Sequence, residues 1–345
     1  MAQRRIITEG FDLYPSDMFA AGIGFYSTWD PAGNTSYFGN QIVDGRFAGS
    51  KAIQCGATST FFRPLPANTL QVCFGFAVKR NIPAVGTHPI CSLWSSNRNR
   101  QFTLYCDSLG RLIASNNVVN MGIADDRCIV NNTWHYVEVE YFLHNSVGTV
   151  KVYLDGVLVP GLDDITGSTK TISDIDIGQF CIECGSLALL WYDDLYVEVD
   201  GLTRVGEGRI EALRPTSTTT NSGFTPSTGS TIWGVLDEAQ IDVSDYASAT
   251  AAGSFFRLGM SDLAYAPEEI YGVQVESVSQ KNEAGTRIVR NKIFDTSATV
   301  NGVSRAQTLN TFQWNRDWLD VTPNTGVPFT LSSIATLDVG VEIVT

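Results

Sequence analysis

Apolar and polar residues alternate most sharply in residues 134–156, WHYVEVEYFLHNSVGTVKVYLDG. Successive side chains of a strand point to opposite faces, so Val137, Val139 and Tyr141 share one side and Glu138 and Glu140 the other. Val150, Val152 and Leu154 repeat the pattern against Lys151, Tyr153 and Asp155. Residues 144–148 supply the first reversal. Asp155-Gly156 supplies a tighter one, since glycine accepts the positive φ that a short hairpin turn demands. Residues 157–159 return until Pro160 stops them. The stretch predicts an antiparallel meander with a dry side and a wet side.

Similar runs flank it. Residues 8–30 read as an opening strand and turn, with Phe11, Phe19, Phe25 and Trp29 available for burial. Asp44-Gly45 and Gly49 punctuate short apolar runs between residues 36 and 57. Val72, Phe74 and Phe76 share a face, and 90–94 with 102–106 predict a hairpin whose loop carries Arg98 and Arg100. In LALLWYDDLYVEVDG, Leu195, Val197 and Val199 alternate with Tyr196, Glu198 and Asp200, and one β-rich unit ends near Gly201. Residues 214–231, RPTSTTTNSGFTPSTGST, offer little to bury and read as a connection. Beyond it, 268–278, 287–294 and 336–344 predict strands of a second β unit, with a short helix at 246–252. No long 3.6-residue period occurs, and short strands at regular spacing point to a sandwich or jelly roll.

Composition agrees. Of 345 residues 43% are hydrophobic and only 17% charged, a balance that favours strands and turns over helices. The net charge of −13 repels phosphate backbones, which argues against nucleic-acid binding. No apolar run approaches the roughly 20 residues of a spanning helix, so no membrane insertion is expected. Arg4-Arg5 is not followed by an apolar signal core, and synthesis in a cytoplasm without export is the expectation. Seven cysteines fit buried small hydrophobes, or thiols that pair after release into an oxidising medium, with Cys55, Cys128, Cys181 and Cys184 as the candidates for a disulfide or intersubunit cross-link.

Candidate chemistry is sparse. Glu138 and Glu140 alternate as the acids of a glycosidase strand do, but Tyr141, Phe142 and Leu143 follow where a third acid is needed. A solvated hairpin face is the simpler reading. Asp163-Asp164 and Asp193-Asp194 are candidate calcium ligands, the first pair better because it sits in a loop. Cys181-x-x-Cys184 is a lone CxxC without the two further ligands of a zinc site. His88, His135 and His144 sit in no nucleophile motif, and Gly22-x-Gly24 lacks the rest of a dinucleotide fingerprint. Tyr37, Phe38, Trp94, Trp191 and Tyr192 are candidates for a sugar-stacking surface. No catalytic residue and no cofactor is expected.

The order Trp134-His135, Gly turn, VKVYLDG, then LLWYDDLYVEVDG resembles the laminin-G-like and concanavalin A-like jelly-roll superfamily over about residues 8–200, especially the versions in tailed-bacteriophage virion proteins. The following Pro-Thr-Ser stretch, a Trp, Leu236-Asp237-Glu238 and Asp245-Tyr246 are similar to the segment that follows the jelly roll in such proteins, with Ser244 where a second Asp is usual. The closing residues 320–344 are similar to the final strands of that arrangement. The resemblance implies an all-β chain: a concanavalin A-like/laminin-G-like jelly-roll sandwich at 1–200, a Ser/Thr-rich connection at 201–232, and a second, smaller β-sandwich serving virion assembly at 233–345. It implies a non-enzymatic structural protein of the particle, assembled in the host cytoplasm and bracing head, neck or tail through contacts with further copies and other virion proteins. The alternative is a carbohydrate-binding adhesin of the virion that recognises a cell-surface glycan.

Overall fold

The computed structural model describes residues 4–16, 24, 29–31, 40–56, 59–81, 86–116, 118–126, 128–163, 165–169, 176–185 and 188–345. Phe19, Gly22, Phe25, Tyr37, Phe38 and Asp164 lie outside the described residues. Two compact units emerge, one of Met1–Asp12 and Trp29–Ile210, the other of Leu13–Thr28 and Glu211–Thr345.

The strands described in the first unit are β1 (Arg4–Glu9), β2 (Asp30–Pro31), β3 (Gln41–Asp44), β4 (Lys51–Gly56), β5 (Thr60–Pro64), β6 (Gln71–Asn81), β7 (Thr87–Trp94) and β8 (Arg100–Asp107). They continue with β9 (Leu112–Ser115), β10 (Asn120–Ile123), β11 (Trp134–Phe142), β12 (Gly148–Leu154), β13 (Val157–Leu158), β14 (Ile165–Gly167), β15 (Gln179–Glu183) and β16 (Leu189–Val199). One sheet runs β13-β12-β11-β6-β16-β4-β3, with β1 added to β16 and β14 to β12. The other runs β10-β9-β8-β7-β15-β5-β2. The meander expected from the sequence is β11-β12-β13, in antiparallel register Val139↔Val152 and Tyr153↔Leu158.

Its dry side faces the second sheet. Val137, Val139 and Tyr141 are wholly buried and lie beside Phe76, Phe74 and Val72 of β6. Phe74 meets Phe180 of β15 at 5.0 Å, and Tyr141 meets Phe102 of β8 at 5.1 Å. Two antiparallel sheets thus stack face to face over an aromatic core, a jelly-roll sandwich. Tyr141 and Tyr192 place their hydroxyls on main-chain carbonyls (Thr169 at 2.6 Å, Ile90 at 2.7 Å), so neither brings an unpaired polar group inside.

The second unit contains β17 (Pro215–Ser222), β18 (Thr225–Pro226), the 3₁₀ turn Trp233–Val235, β19 (Ala247–Ser248), β20 (Phe255–Met260), β21 (Val273–Ser279), β22 (Ile288–Asp295), β23 (Ala298–Asn301), β24 (Arg305–Ala306), β25 (Gln313–Leu319), α1 (Leu331–Ile334) and β26 (Leu337–Ile343). Its main sheet runs β17-β20-β26-β22-β23, with β24 on β22, and a β21-β25 ribbon packs against it. Val275, Ile293, Phe329, Ile334 and Leu337 form the apolar core between them. The stretch expected as a connection therefore holds a strand. Its serines and threonines hide it because β17 is an edge strand, paired among the described residues only with β20 and largely exposed. The helix expected at 246–252 is absent as well: the Tyr246 amide donates to Ser227 Oγ and its carbonyl accepts from the Ser227 amide, which fixes an extended backbone.

Candidate functional site

The outer side of β11 is covered at its centre. After β16 the chain turns at Asp200 and residues 201–210 cross the outer face of the first sheet as an irregular strap. Glu138, expected on a solvated face, is 1% exposed beneath it. Its carboxylate accepts from the Tyr196 hydroxyl at 2.7 Å, the Arg204 guanidinium at 2.7 Å and the Gly206 amide at 2.8 Å. Gly75 makes this possible, because a Cβ there would stand 2.5 Å from the Tyr196 ring and 2.9 Å from Glu138 Cγ. Arg204 also lies 3.7 Å over the Tyr153 ring, whose hydroxyl donates to Glu140. Both acids of the glycosidase reading are thus clasps for the strap.

Asp193-Asp194 is the second clasp. Along β16 the register against β6 jumps between Asp193 and Tyr196, a bulge in which Asp194 adopts φ +50°. Here β16 changes edge partner from β4 to β1. Asp193 accepts from the Arg46 amide at 2.8 Å and Asp194 from the Ile210 amide at 2.7 Å, while Arg46 bonds the Gly208 carbonyl and pairs with Glu207. Gly45 lets the loop approach, since a Cβ would lie 2.5 Å from the Asp193 carboxylate. Each of these aspartates is engaged by a main-chain amide of the chain itself. Asp163 lies exposed in a turn, and the described residues contain no group of three metal-ligating side chains.

Burial raises the pKa of Asp193 above the carboxylate range, and the charge of Asp194 adds to it. Asp194 is raised by burial too, against the pull of the Ile210 amide and of Arg46 and Arg209. A carboxyl whose folded pKa is raised gives stability that is complete below its unfolded pKa of about 3.9 and is lost as pH rises through the folded value. Asp193→Asn cannot ionise. Its stability relative to the natural chain is therefore expected to improve steadily from about pH 5 to about pH 9 in denaturant titrations. A flat difference would show that Asp193 ionises normally.

On the second sheet the sequence reading overlooked Glu183. It lies 1% exposed on the outward side of β15, accepts from Ser92 and, at 2.8 Å, from Arg100, and its pKa is raised by burial despite that cation. The Trp94 indole donates to Ser92 at 2.6 Å, Arg100 covers its ring at 5.0 Å, and Phe62 abuts it edge-on at 5.1 Å. The Glu183 carboxylate is thus engaged inside the chain, by Ser92 and by Arg100. The outward alternation of Gln179, Cys181 and Glu183 was the available signal. The CxxC cysteines are buried and free: burial raises the pKa of both thiols, and Cys184 Sγ donates to the Cys55 and Ala188 carbonyls at 3.3 and 3.0 Å. Cys55 is buried and free and Cys128 partly exposed and free, and among the seven cysteines no disulfide is present.

Of the aromatic candidates, Tyr192 is core and Trp94 is covered by Arg100, but Trp191 is partly exposed on the outer face of the first sheet. Neighbouring strands place it in one row with two residues outside the expected set, Trp134↔Lys79↔Trp191. The Lys79 ammonium lies 5.0 Å from the Trp134 ring centre and 4.7 Å from that of Trp191. Lys79 is in phase with Ala77 and Gly75, so the row continues the strapped face beyond the strap.

No protein-family model matches this chain, and no curated protein does. Solved structures with partial likeness include a cellulose-induced protein, Cip1, at 13% identity and TM-score 0.43, covering 59% of this chain and 100% of its own. A Trypanosoma rangeli sialidase is 12% identical with TM-score 0.35, covering 48% of this chain and 27% of its own. The alginate lyase Aly36B, in complex with an alginate tetrasaccharide, is 14% identical with TM-score 0.35, covering 60% and 98%. Likeness at this level concerns architecture only. The expectation that the chain is not an enzyme is not upheld, since sialidases and an alginate lyase stand among these structures.

Proposed function

We propose that the chain is a component of a tailed-phage particle that binds a cell-surface glycan through the outer face of its first sheet. The row Trp134–Lys79–Trp191 carries the reading: two indoles and a cation, partly exposed and held at fixed spacing by three paired strands. Aromatic rings receive the apolar C–H faces of sugars, and rigid strands limit the ordering cost of binding. The place in a virion is supported by the resemblance of residues 8–200 and of the segments after them. A glycan array probed with the full chain tests the reading. Trp191→Ala, which changes a side chain outside the core, is expected to weaken the retained sugar roughly tenfold with unchanged circular dichroism. An array without any retained sugar would overturn it.

One observation favours a second reading, bracing of neighbouring subunits. Among the described residues β17 presents an exposed, polar edge that pairs on one side only, with β20. Such an edge accepts a strand from another chain. Imaging of intact particles tests this reading, which requires β17 to lie against another subunit.

A further inference from the structure

We infer that the Trp134–Lys79–Trp191 row selects acidic saccharides, those carrying a carboxylate, sulfate or phosphate on the sugar. The inference rests on the glycan-binding reading and goes beyond it by naming the charge of the ligand. Its ground is the pairing of charges across the outer face of the first sheet. Arg204 is held by Glu138, and Arg5 by Glu198 at 2.8 Å. Arg46 stands 3.6 Å from Asp194 and pairs with Glu207, and Lys151 stands 4.0 Å from Glu140. Lys79 differs: among the described residues its ammonium has no carboxylate and no hydrogen-bond acceptor, only the two flanking indole rings.

Indole faces stabilise a cation without neutralising it, and they leave its N–H groups able to donate. The indole N–H groups of Trp134 and Trp191 are likewise without an acceptor among the described residues, and an indole can only donate. The polar atoms these three side chains bring to the row are therefore donors alone, one of them charged. A ligand with an anionic acceptor on a sugar ring satisfies the cation by a charge-assisted bond while its C–H face meets an indole. A neutral sugar offers hydroxyls that bond equally well to water. With a net charge of −13, the chain repels polyanions at long range. Retention of an acidic polymer would thus report local contacts rather than general attraction.

Paired polymers that share a backbone and differ in charge provide the test: polygalacturonate against its methyl ester, dextran sulfate against dextran, and polysialate against its reduced, neutral form. Affinity electrophoresis and calorimetry on the full chain are expected to show the acidic member of at least one pair bound roughly tenfold more tightly than its neutral partner. Lys79→Met, which keeps the length of the side chain and removes its charge, should abolish the preference. Lys79→Arg should keep most of it. Equal binding of acidic and neutral members, or a preference that survives Lys79→Met, overturns the inference while leaving a glycan-binding face intact. Failure to bind any acidic polymer when a neutral glycan is retained on the array also overturns it. An empty array removes the glycan reading and the inference together.

Discussion

Glu138→Ala is expected to destabilise the first unit by about 3–5 kcal/mol, and Glu138→Gln by less. The carboxylate is buried at 1% exposure and accepts three hydrogen bonds, two of them from the strap. Removing it leaves the Tyr196 hydroxyl and the Gly206 amide without their acceptor. Arg204, whose side chain is 26% exposed, can rehydrate, so the lower end of the range is favoured. Glutamine keeps an acceptor for Tyr196 and Gly206 but loses the charge that holds Arg204. The chain has two compact units, so stability must be read from a probe inside the first one rather than from a single global transition. Hydrogen exchange supplies it. The amides of Val205, Gly206 and Ile210 donate to Tyr196, Glu138 and Asp194, and the first two should lose protection in Glu138→Ala well before the core strands do. Unchanged exchange and a stability change below about 1 kcal/mol would mean that the strap does not depend on this clasp.

What the sequence revealed follows from the range of the forces involved. Alternation is local, so the inward side of β11 and the β11-β12-β13 meander were readable from Val137, Val139, Tyr141, Val150 and Val152. Whether the opposite side meets water depends on a segment more than 60 residues further along, and nothing in HYVEVEY announces Arg204 or Gly206. The Asp193-Asp194 pair reads as a calcium candidate from sequence because carboxylates ligate calcium, yet two adjacent acids in a strand are costly to bury. The structure meets that cost with a bulge and with amides from Arg46 and Ile210, which only the folded chain brings together. A polar edge strand and a polar linker have the same composition, so β17 reads as a connection from sequence alone. At the site, Trp191 is legible as one of five aromatic candidates for a sugar-stacking surface. Its row partners Trp134 and Lys79 are not, because row membership is a matter of register between strands far apart in sequence.

Asp317→Ala should be the most damaging single change in the second unit, at about 3–5 kcal/mol. The β21-β25 ribbon meets the main sheet through an apolar half around Val275 and a polar half around Asn291 and Asn315, both wholly buried. Asp317 is the hub of the polar half. It accepts from Asn291 Nδ2 at 2.8 Å, from the Val303 amide at 2.9 Å and from both terminal nitrogens of Arg305 at 3.1 Å. Asn291 in turn donates to the Val275 and Asn315 carbonyls at 3.2 and 3.1 Å and accepts from Ser277, so one amide ties the ribbon to β22. Alanine at 317 removes one of the three acceptors of the Asn291 amide, leaves the Val303 main-chain N–H unpaired and takes from the Arg305 guanidinium its carboxylate, though Arg305 keeps the Val303 and Arg316 carbonyls, and such networks fail as units rather than bond by bond. Arg305→Leu removes only the partly exposed cation, so its cost should be clearly smaller, and the double variant Asp317→Ala/Arg305→Leu should be less damaging than the sum of the single changes. Denaturant titrations followed by fluorescence of Trp314 and Trp318, on the ribbon itself, would measure all three. Strict additivity, or an Asp317→Ala cost near that of an ordinary surface change, would show that the ribbon is held by its apolar half alone.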